Sequence, residues 1–402
     1  MKYLCFWVFF IFSRFHFSIH SSAEETILPN GEKEENSPPN IILFLADDLG
    51  YGDLGFSGHP TSRTPNIDAL AEEGRVFTHF YVTSPVCSPS RSSILTGRYQ
   101  IRSGTYPGTY IPNSYLGLPH NETTIAKLLK GKIHHPQFSS SKFVSKSPRG
   151  TTGDSLLELD SAVQTIKELL ERMNLLNNTL IWFTSDNGPS LQRHERGGCA
   201  GLLRCGKGTT WEGGSSSTIN RQLEKQNRTR YRLTNDLTSS VDILPTIASI
   251  AGIDTSNLVL DGFDISQSLF DKNIKGPRKF YAIYPESPTQ ELGPFAVVYE
   301  NYKAHFYTLG SDLSDPNNYD PMCPSKHPLT KHDPPLLFNL YADPGERYNL
   351  GLEEEYTNLV ALIKEWRDDH MRNITWMSQR TQKAKKLNVV VKQHVRSVPT
   401  ML

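Results

Sequence analysis

The stretch that decides the fold runs from Asn40 to Gly50, with the sequence NIILFLADDLG. It begins with an unbroken apolar run over residues 41–45, which is typical of a central strand covered on both faces. Two carboxylates, Asp47 and Asp48, stand where this strand ends. A second apolar run, LIWF at residues 180–183, ends in the same way, because Thr-Ser-Asp-Asn-Gly follows it. The two runs predict two buried strands.

A helix is predicted immediately before the second run. Its apolar residues recur at spacings of three and four, as in an amphipathic helix; they are Leu156, Leu159, Val163, Ile166 and Leu170. A shorter helix is predicted to start at Thr64-Pro65, because proline is favoured at the first helical position. A helix followed by a buried strand indicates a parallel sheet. The fold class is therefore α/β, with a large domain built on a mostly parallel or mixed sheet flanked by helices.

The chain changes character after Gly276. Short aromatic-rich stretches, for example at residues 280–284 and 295–299, predict a smaller C-terminal domain with an antiparallel sheet. We therefore predict a large α/β domain over residues 39–275 and the smaller domain over 276–372. A basic tail, expected to be solvated, occupies 373–402.

The N-terminus has the features of a signal peptide. Lys2 is followed by an apolar run over residues 4–12 that is too short to span a bilayer, and small residues lead to Ala23. Residues 1–23 are therefore predicted to be removed, and no other segment is apolar enough to anchor the chain in a membrane. Entry into the secretory pathway also fits four glycosylation sequons, at Asn121, Asn177, Asn227 and Asn373.

The overall charge of the 402-residue chain excludes one broad class of partner. Lys plus Arg and Asp plus Glu both number 42, so the net charge is zero. Nucleic-acid binding is not expected from such a balance, and recognition of an anion has to be local.

The two strand ends suggest a metal site. Ligands of α/β proteins gather at the carboxyl ends of the strands, and the oxygen-bearing residues there are Asp47, Asp48, Asp186 and Asn187. Oxygen ligands suit a hard divalent cation, and no His/Cys cluster with zinc spacing competes. Asp and Asn are also common in turns, so capping of the strand ends is the alternative interpretation of each pair.

The segment CSPSRSSILTGR at residues 87–98 makes the interpretation specific. Cys-x-Pro-x-Arg followed by Leu-Thr-Gly-Arg resembles the signature of the sulfatase family. A lone cysteine is usually just a small buried residue, but here the complete motif matches. The residues PNIILFLADDLG (39–50), TPNID (64–68) and TSDNG (184–188) are similar to other segments of the same family.

This resemblance implies a mechanism. In sulfatases the cysteine is oxidised to formylglycine, by a formylglycine-generating enzyme that acts during synthesis, and the aldehyde hydrates to a geminal diol. One hydroxyl, activated by one calcium ion, attacks sulfur and displaces the alcohol; the second then allows the aldehyde to re-form as sulfate leaves. Carried over to this chain, the nucleophile derives from Cys87 and is itself a calcium ligand with the four strand-end residues, and Arg91 supports its charge.

Other segments resemble the arylsulfatase branch of the family. These are GGCAGLLRCGKG (197–208), TTWEGG (209–214) and DPGERYNL (343–350). The resemblance implies that Lys207 binds sulfate, that Cys205 and Cys323 form a disulfide and that Cys199 is free. It further implies a sulfated glycolipid or glycan as substrate, a lysosomal or secreted location and a possible homo-oligomer.

Two departures from the family pattern stand out. The usual strand ending in Gly-Lys-Trp-His is missing near residues 132–134, where Lys132 and His134 have only the Lys-x-His spacing. Either they are a remnant of that motif, or a deletion joins an upstream lysine to a later segment in which His134 is the sulfate-contacting histidine; an ordinary surface histidine is the third interpretation. Residues 215–238 also diverge from the family.

Three hypotheses follow for function. The leading one is a sulfuric ester hydrolase with Cys87, Arg91, Lys207 and His134 in the catalytic site. The second is a catalytically inactive, internally shortened sulfatase-like protein, arising from a splice form or an incomplete gene model. The third is a phosphatase or phosphodiesterase of the same superfamily, which is expected to use a Ser or Thr nucleophile and a His-rich two-metal site; Cys87 disfavours it.

Overall fold

The computed structural model describes residues 6–11, 39–110, 114, 117–125, 140–217, 219–222, 232–271, 273–314, 320–323 and 325–380, with only the backbone at 6–11, 194–196, 219–222 and 232. The strands are β1 (Phe6–Ile11), β2 (Asn40–Ala46), β3 (Arg75–Phe77), β4 (Phe80–Tyr81), β5 (Thr179–Ser185), β6 (Ile219–Gln222), β7 (Arg232–Thr234), β8 (Thr238–Ser239), β9 (Phe280–Ile283), β10 (Ala296–Tyr299), β11 (Tyr302–Thr308) and β12 (Thr330–Asn339). The α-helices are α1 (Pro65–Glu73), α2 (Cys87–Thr96), α3 (Gln100–Ser103), α4 (Gly150–Arg172), α5 (Glu212–Ser215), α6 (Ile243–Ile250), α7 (Ser266–Phe270) and α8 (Thr357–Asn373). Short 3-10 turns occupy Leu176–Asn178, Leu191–Arg196, Ser240–Asp242 and Glu354–Tyr356.

The large sheet is built around the two apolar runs. β2 and β5 pair in parallel over their whole length, from Asn40 opposite Thr179 to Ala46 opposite Ser185. One face of β2 packs with α6 and α7, and the other face packs with α1 and α4. Every residue of β5 is buried, as expected for a central strand with both faces covered. The predicted α/β class is confirmed.

The segment that diverges from the family pattern contributes to this sheet. The strand order is β1-β2-β5-β6-β3-β7. β6 pairs antiparallel to both β5 and β3, and β7 pairs in parallel with β3. Both strands lie within residues 215–238; β6 lies next to the central strand β5, and β7 forms the far edge of the sheet beside β3.

The N-terminal segment has an unexpected place in the uncleaved chain. Its strand β1 pairs antiparallel to the outer edge of β2, with Phe6 opposite Ala46. The signal peptide over residues 1–23 stays a prediction, and its removal would uncover the hydrogen-bonding edge of β2. Among the helices that the structure describes, none is both long and apolar enough to cross a bilayer.

The smaller sheet has four antiparallel strands in the order β12-β11-β10-β9. Helix α8 covers one of its faces through Ile363 and Leu359, so the predicted C-terminal antiparallel sheet is confirmed. After α8 the chain returns to the large part of the molecule. Met377 donates its N–H to the carbonyl of Ile101 at 2.9 Å and Arg380 donates to Gly104 at 2.8 Å. Residues 374–380 are therefore held to the large part of the molecule by backbone hydrogen bonds, although most of their side chains are exposed. The remainder of the basic tail lies outside the described residues.

A buried polar cluster joins the two sheets. It consists of Glu212 at the start of α5, Lys303 and His305 on β11, and Glu346. Lys303 Nζ lies 2.8 Å from Glu212 Oε1 and 3.3 Å from Glu346 Oε1. His305 Nε2 lies 2.7 Å from Glu346 Oε1. Burial lowers the pKa of His305 to about 4 despite the adjacent carboxylate of Glu346. Lys303 and His305 outweigh burial and lower the pKa of Glu346 to about 2.

These shifts predict that stability falls as the pH falls. Below its ordinary pKa of 6.5, His305 takes up a proton in the unfolded chain, whereas the folded chain does not bind one there until about pH 4. In that window the free energy of unfolding should therefore decrease by up to about 1.4 kcal/mol per pH unit from this histidine. Glu346 extends the loss below its ordinary value of 4.5. Between pH 7 and 4, the free energy of unfolding of His305→Gln, measured in urea, should depend less steeply on pH than that of the wild type.

The matched control is His120→Gln, because His120 is an exposed histidine. This variant should keep the wild-type pH slope. An equal slope in the wild type and in His305→Gln would contradict the assignment of a neutral, buried histidine.

Candidate active site

The carboxyl ends of β2 and β5 bring the predicted metal ligands together. Because Ala46 pairs with Ser185, the residues that follow each strand meet at one edge of the sheet. The backbone N–H of Asp48 donates to Asp186 Oδ1 at 3.2 Å, and Asn187 Nδ2 donates to Asp48 Oδ1 at 2.8 Å. Asp48 adopts a φ of 59°, a left-handed conformation that is uncommon outside glycine and is concentrated at functional sites.

Cys87 faces this carboxylate cluster from the first position of α2. Val86 before it is extended, and the helix ends at Gly97, whose φ of 66° suits a left-handed C-terminal cap. Cys87 Sγ lies 3.5 Å from Asp47 Oδ1 and 4.0 Å from Asp48 Oδ1. The unpaired N–H groups and positive dipole end of this ten-residue helix favour an anion at the same place.

Two cations complete the site. Arg91, one turn along α2, places Nε 2.7 Å from Asp186 Oδ2 and Nη2 3.0 Å from Asp47 Oδ1. Lys207 Nζ lies 3.0 Å from Cys87 Sγ and contacts Asp48 Oδ1. Lys207 therefore bridges the cysteine and a carboxylate, whereas Arg91 bridges two carboxylates, one of which, Asp47, lies 3.5 Å from Cys87 Sγ.

The crowding of charge is reflected in the titration of the acids. Burial, and then the charge of Asp186, raises the pKa of Asp47 to about 7. Burial alone would raise the pKa of Asp186 as well, but Arg91 and Lys207 outweigh it, and the net shift is downward. Without further positive charge the cluster therefore favours keeping a proton on Asp47.

The cations and the thiol respond to the same field. Burial would lower the pKa of Arg91 and of Lys207, but the adjacent carboxylates outweigh it, and both pKa values rise. Both side chains are therefore charged at physiological pH. Burial, followed by Asp186 and Asp47, raises the pKa of the Cys87 thiol, so the unmodified side chain is protonated.

The cluster fits a hard divalent cation. Ligand atoms of Asp47, Cys87 and Asp186 all lie within 4.8 Å of one another. The side-chain oxygen of Asn187 is buried and has no hydrogen-bond partner in the described part of the chain, although buried polar atoms are nearly always paired. A cation bound by Asp47, Asp48, Asp186 and Asn187 would satisfy this oxygen and offset the carboxylate charges.

Not every predicted site residue can be placed. Lys132 and His134 lie outside the described residues, and so does the sequon residue Asn227. The sequon residues Asn121, Asn177 and Asn373 are exposed. Cys205 and Cys323 form a disulfide with a Cα–Cα distance of 5.5 Å, and Cys199 is free.

The structure adds two side chains that motif analysis missed. Arg193 Nη1 lies 3.9 Å from Asp48 Oδ2. Glu286, in the loop after β9, interacts electrostatically with Lys207, and burial raises its pKa. Neither belongs to a recognisable motif, and only the folded chain brings them to the site.

Comparisons with known proteins agree with this geometry. The family model "Sulfatase" matches residues 39–135 and 131–253, and the model "C-terminal region of aryl-sulfatase" matches 276–397. Arylsulfatase A of Homo sapiens is 37% identical over 426 residues, covering 78% of this chain and 83% of that protein. Because 78% of 402 residues is about 314, the alignment contains gaps in this chain.

Two further comparisons extend the likeness. N-acetylgalactosamine-6-sulfatase of Homo sapiens is 28% identical over 447 residues, covering 81% of this chain and 84% of that protein. The crystal structure of the PsFucS1 sulfatase from Pseudoalteromonas sp. has the same fold, with a TM-score of 0.68 at 22% identity, covering 83% of this chain and 90% of that one. The chain belongs to the sulfatase family of sulfate ester hydrolases.

Proposed function

We propose that the protein hydrolyses sulfate esters at a formylglycine derived from Cys87, next to one calcium ion. The observation that supports this most directly is the convergence of Cys87 at a helix N-terminus with three carboxylates, Arg91 and Lys207. A helix N-terminus and two cations attract an anion, and the carboxylates attract a cation. The site is therefore suited to an anionic substrate group beside a metal ion.

The proposed cofactors supply what the unmodified chain lacks. Calcium would provide positive charge at Asp47, Asp48, Asp186 and Asn187, and hydrated formylglycine would provide an oxygen nucleophile at position 87. Unmodified Cys87 would be a weak nucleophile, because the thiolate is the reactive form. Conversion requires a formylglycine-generating enzyme as a partner during synthesis.

The residues present in the site have separate tasks. Arg91 is held by two carboxylates, so its guanidinium is fixed beside position 87. Lys207 points an ammonium at the same position and can bind a sulfate oxygen. His134 is the proposed additional sulfate contact from the sequence.

The substrate class follows from the relatives. Arylsulfatase A and N-acetylgalactosamine-6-sulfatase are the names of two of them, so we propose a sulfated glycolipid or glycan. A signal peptide at residues 1–23, glycans on the sequon residues, a lysosomal or secreted location and a homo-oligomer belong to the same proposal. The exposure of Asn121, Asn177 and Asn373 supports glycosylation.

A second candidate is an inactive sulfatase-like protein. It is favoured by the gaps in the alignment with arylsulfatase A and by the missing Gly-Lys-Trp-His strand. In that case the metal ligands and Lys207 would persist without the residues that assist departure of the alcohol.

The proposed nucleophile can be tested at Cys87. In protein secreted from cells that make formylglycine, mass spectrometry of the Cys87 peptide should show conversion, and the same sample should cleave an aryl sulfate. An aryl phosphate assayed in parallel should be a poorer substrate, because the family is built around sulfate. Cys87→Ser should abolish turnover, since a serine has no second hydroxyl with which to re-form an aldehyde.

Each result distinguishes the hypotheses. Conversion without turnover would support the inactive protein, and preferential cleavage of the phosphate would support the phosphatase. An unconverted Cys87 in an active sample would overturn the proposed nucleophile.

The proposed calcium site can be tested through its effect on stability. Saturating calcium should raise the melting temperature, corresponding to about 2.7 kcal/mol at a hundred times the dissociation constant, and EGTA should reverse the rise. Asn187→Ala should weaken this response, because it removes the unpaired oxygen. Asn66→Ala is the matched control, since Asn66 donates to Asp160 at 2.7 Å, remote from the site. An equal calcium response in wild type and Asn187→Ala would remove Asn187 from the ligand set.

A further inference from the structure

We propose that Glu346 is a positioning residue for Lys207: it holds the loop of residues 204–214 in the orientation that points the Lys207 ammonium at Cys87. We call this segment the lysine loop. The inference rests on the proposed function, in which Lys207 binds the sulfate group. It assigns to the smaller sheet a task in substrate binding.

The lysine loop is a compact unit. Gly213 donates its N–H to the carbonyl of Arg204 at 2.8 Å, which closes the loop at its base, and Lys207 donates its N–H to Pro189 at 2.9 Å. A Cβ atom on Gly213 would lie 2.1 Å from the Cys205 carbonyl oxygen, so the two arms of the loop touch and only glycine fits there. Because the loop is tight, its orientation depends on what holds its base.

Glu346 holds both ends of that base. Its Oε2 accepts the N–H of Glu212 at 2.6 Å, and its backbone carbonyl accepts a hydrogen bond from Arg204 Nη1 at 2.9 Å. The Glu212 N–H belongs to the first residue of a short helix and has no helical partner. Glu346 is fully buried and adopts a φ of 50°, a strained conformation for a non-glycine residue.

The orientation of the Glu346 carboxylate is in turn fixed by the smaller sheet. Its Oε1 lies between His305 Nε2 at 2.7 Å and Lys303 Nζ at 3.3 Å, and both side chains belong to β11. Lys303 also contacts Glu212 Oε1 at 2.8 Å. One carboxylate oxygen thus accepts from the sheet and the other accepts from the loop, so the carboxylate links the two.

Two further contacts hold the loop to the same region of the chain. Arg204 donates from Nε to the carbonyl of Met322 at 2.8 Å; within the loop, its guanidinium also lies 3.6 Å from the centre of the Trp211 ring. The disulfide from Cys205 to Cys323 lies beside it. These contacts attach the first arm of the loop, at Arg204 and Cys205, to residues 322–323. Glu346 instead links this arm to the start of α5, because it contacts both Arg204 and Glu212.

The test compares Glu346→Gln with the wild type. Glutamine keeps the shape, but its amide nitrogen must face either the Glu212 N–H or the donors of β11, so one donor loses its acceptor. We expect KM for an aryl sulfate and Ki for inorganic sulfate to rise together by about 10- to 100-fold, with a smaller change in kcat, because a displaced Lys207 weakens sulfate binding. Conversion of Cys87 is quantified in both samples.

Two other variants separate positioning from general stability. Asp242→Asn removes a buried carboxylate that pairs with Arg278 and should leave sulfate affinity unchanged. Arg204→Lys, at a half-buried position, loses the planar contact with Met322 and Glu346 and should weaken sulfate binding in the same direction, which keeps the test open if Glu346→Gln does not fold.

Non-additivity gives the sharpest readout. If Glu346 acts through Lys207, Lys207→Ala and the double variant Lys207→Ala/Glu346→Gln should bind sulfate equally weakly, as measured by the sulfate-dependent rise in melting temperature. Additive losses, or a fall in kcat at unchanged KM, would overturn the positioning role.

The two proposals can fail separately. A wild type that binds sulfate without turnover removes the proposed hydrolysis but still tests Glu346 by binding. An active wild type with an equally sulfate-responsive Glu346→Gln removes the inference alone. A wild type with neither turnover nor a sulfate response overturns both.

Discussion

The crowding of Asp47, Asp48 and Asp186 around one cysteine is the constraint on which the structure depends. Burial, and after it the negative charges of Asp186 and Asp48, raises the pKa of Asp47, because a buried carboxylate next to like charges favours its neutral form. Arg91 and Lys207 offset part of that charge, and the unpaired oxygen of Asn187 indicates a place for a cation. The three carboxylates carry more negative charge than the two cations offset. A bound metal ion would compensate the remainder and leave a site suited to sulfate.

Each part of the site comes from a different element of the fold. The strand ends provide the acids, the start of α2 provides Cys87 and Arg91, and the lysine loop provides Lys207. The first two are held by the large sheet and its helices, whereas the lysine loop is also bound to the smaller sheet through Glu346 and the disulfide. The C-terminal sheet therefore supports the site as well as the fold.

The internal shortening affects the two halves of the site differently. The proposed metal ligands and the two cations of the site lie among the described residues, and β6 and β7 from the divergent segment pair within the large sheet. The motif Gly-Lys-Trp-His does not occur in the sequence, and Lys132 and His134 lie outside the described residues. The described residues therefore include Cys87, Arg91 and Lys207 of the proposed anion site as well as all proposed ligands of the cation.

The sequence alone determined the fold class, the two buried strands and the family, because these depend on local periodicity and on motifs with fixed spacing. It also named Cys87, Arg91 and the strand-end acids, since each belongs to such a motif. Only the tertiary structure decided that Arg193 and Glu286 lie near the site, that Met377 and Arg380 hydrogen-bond to the segment after α2, and that Glu346 holds the lysine loop. Those contacts join residues far apart in the chain, and no local pattern encodes a distance that exists only after the two sheets have packed together.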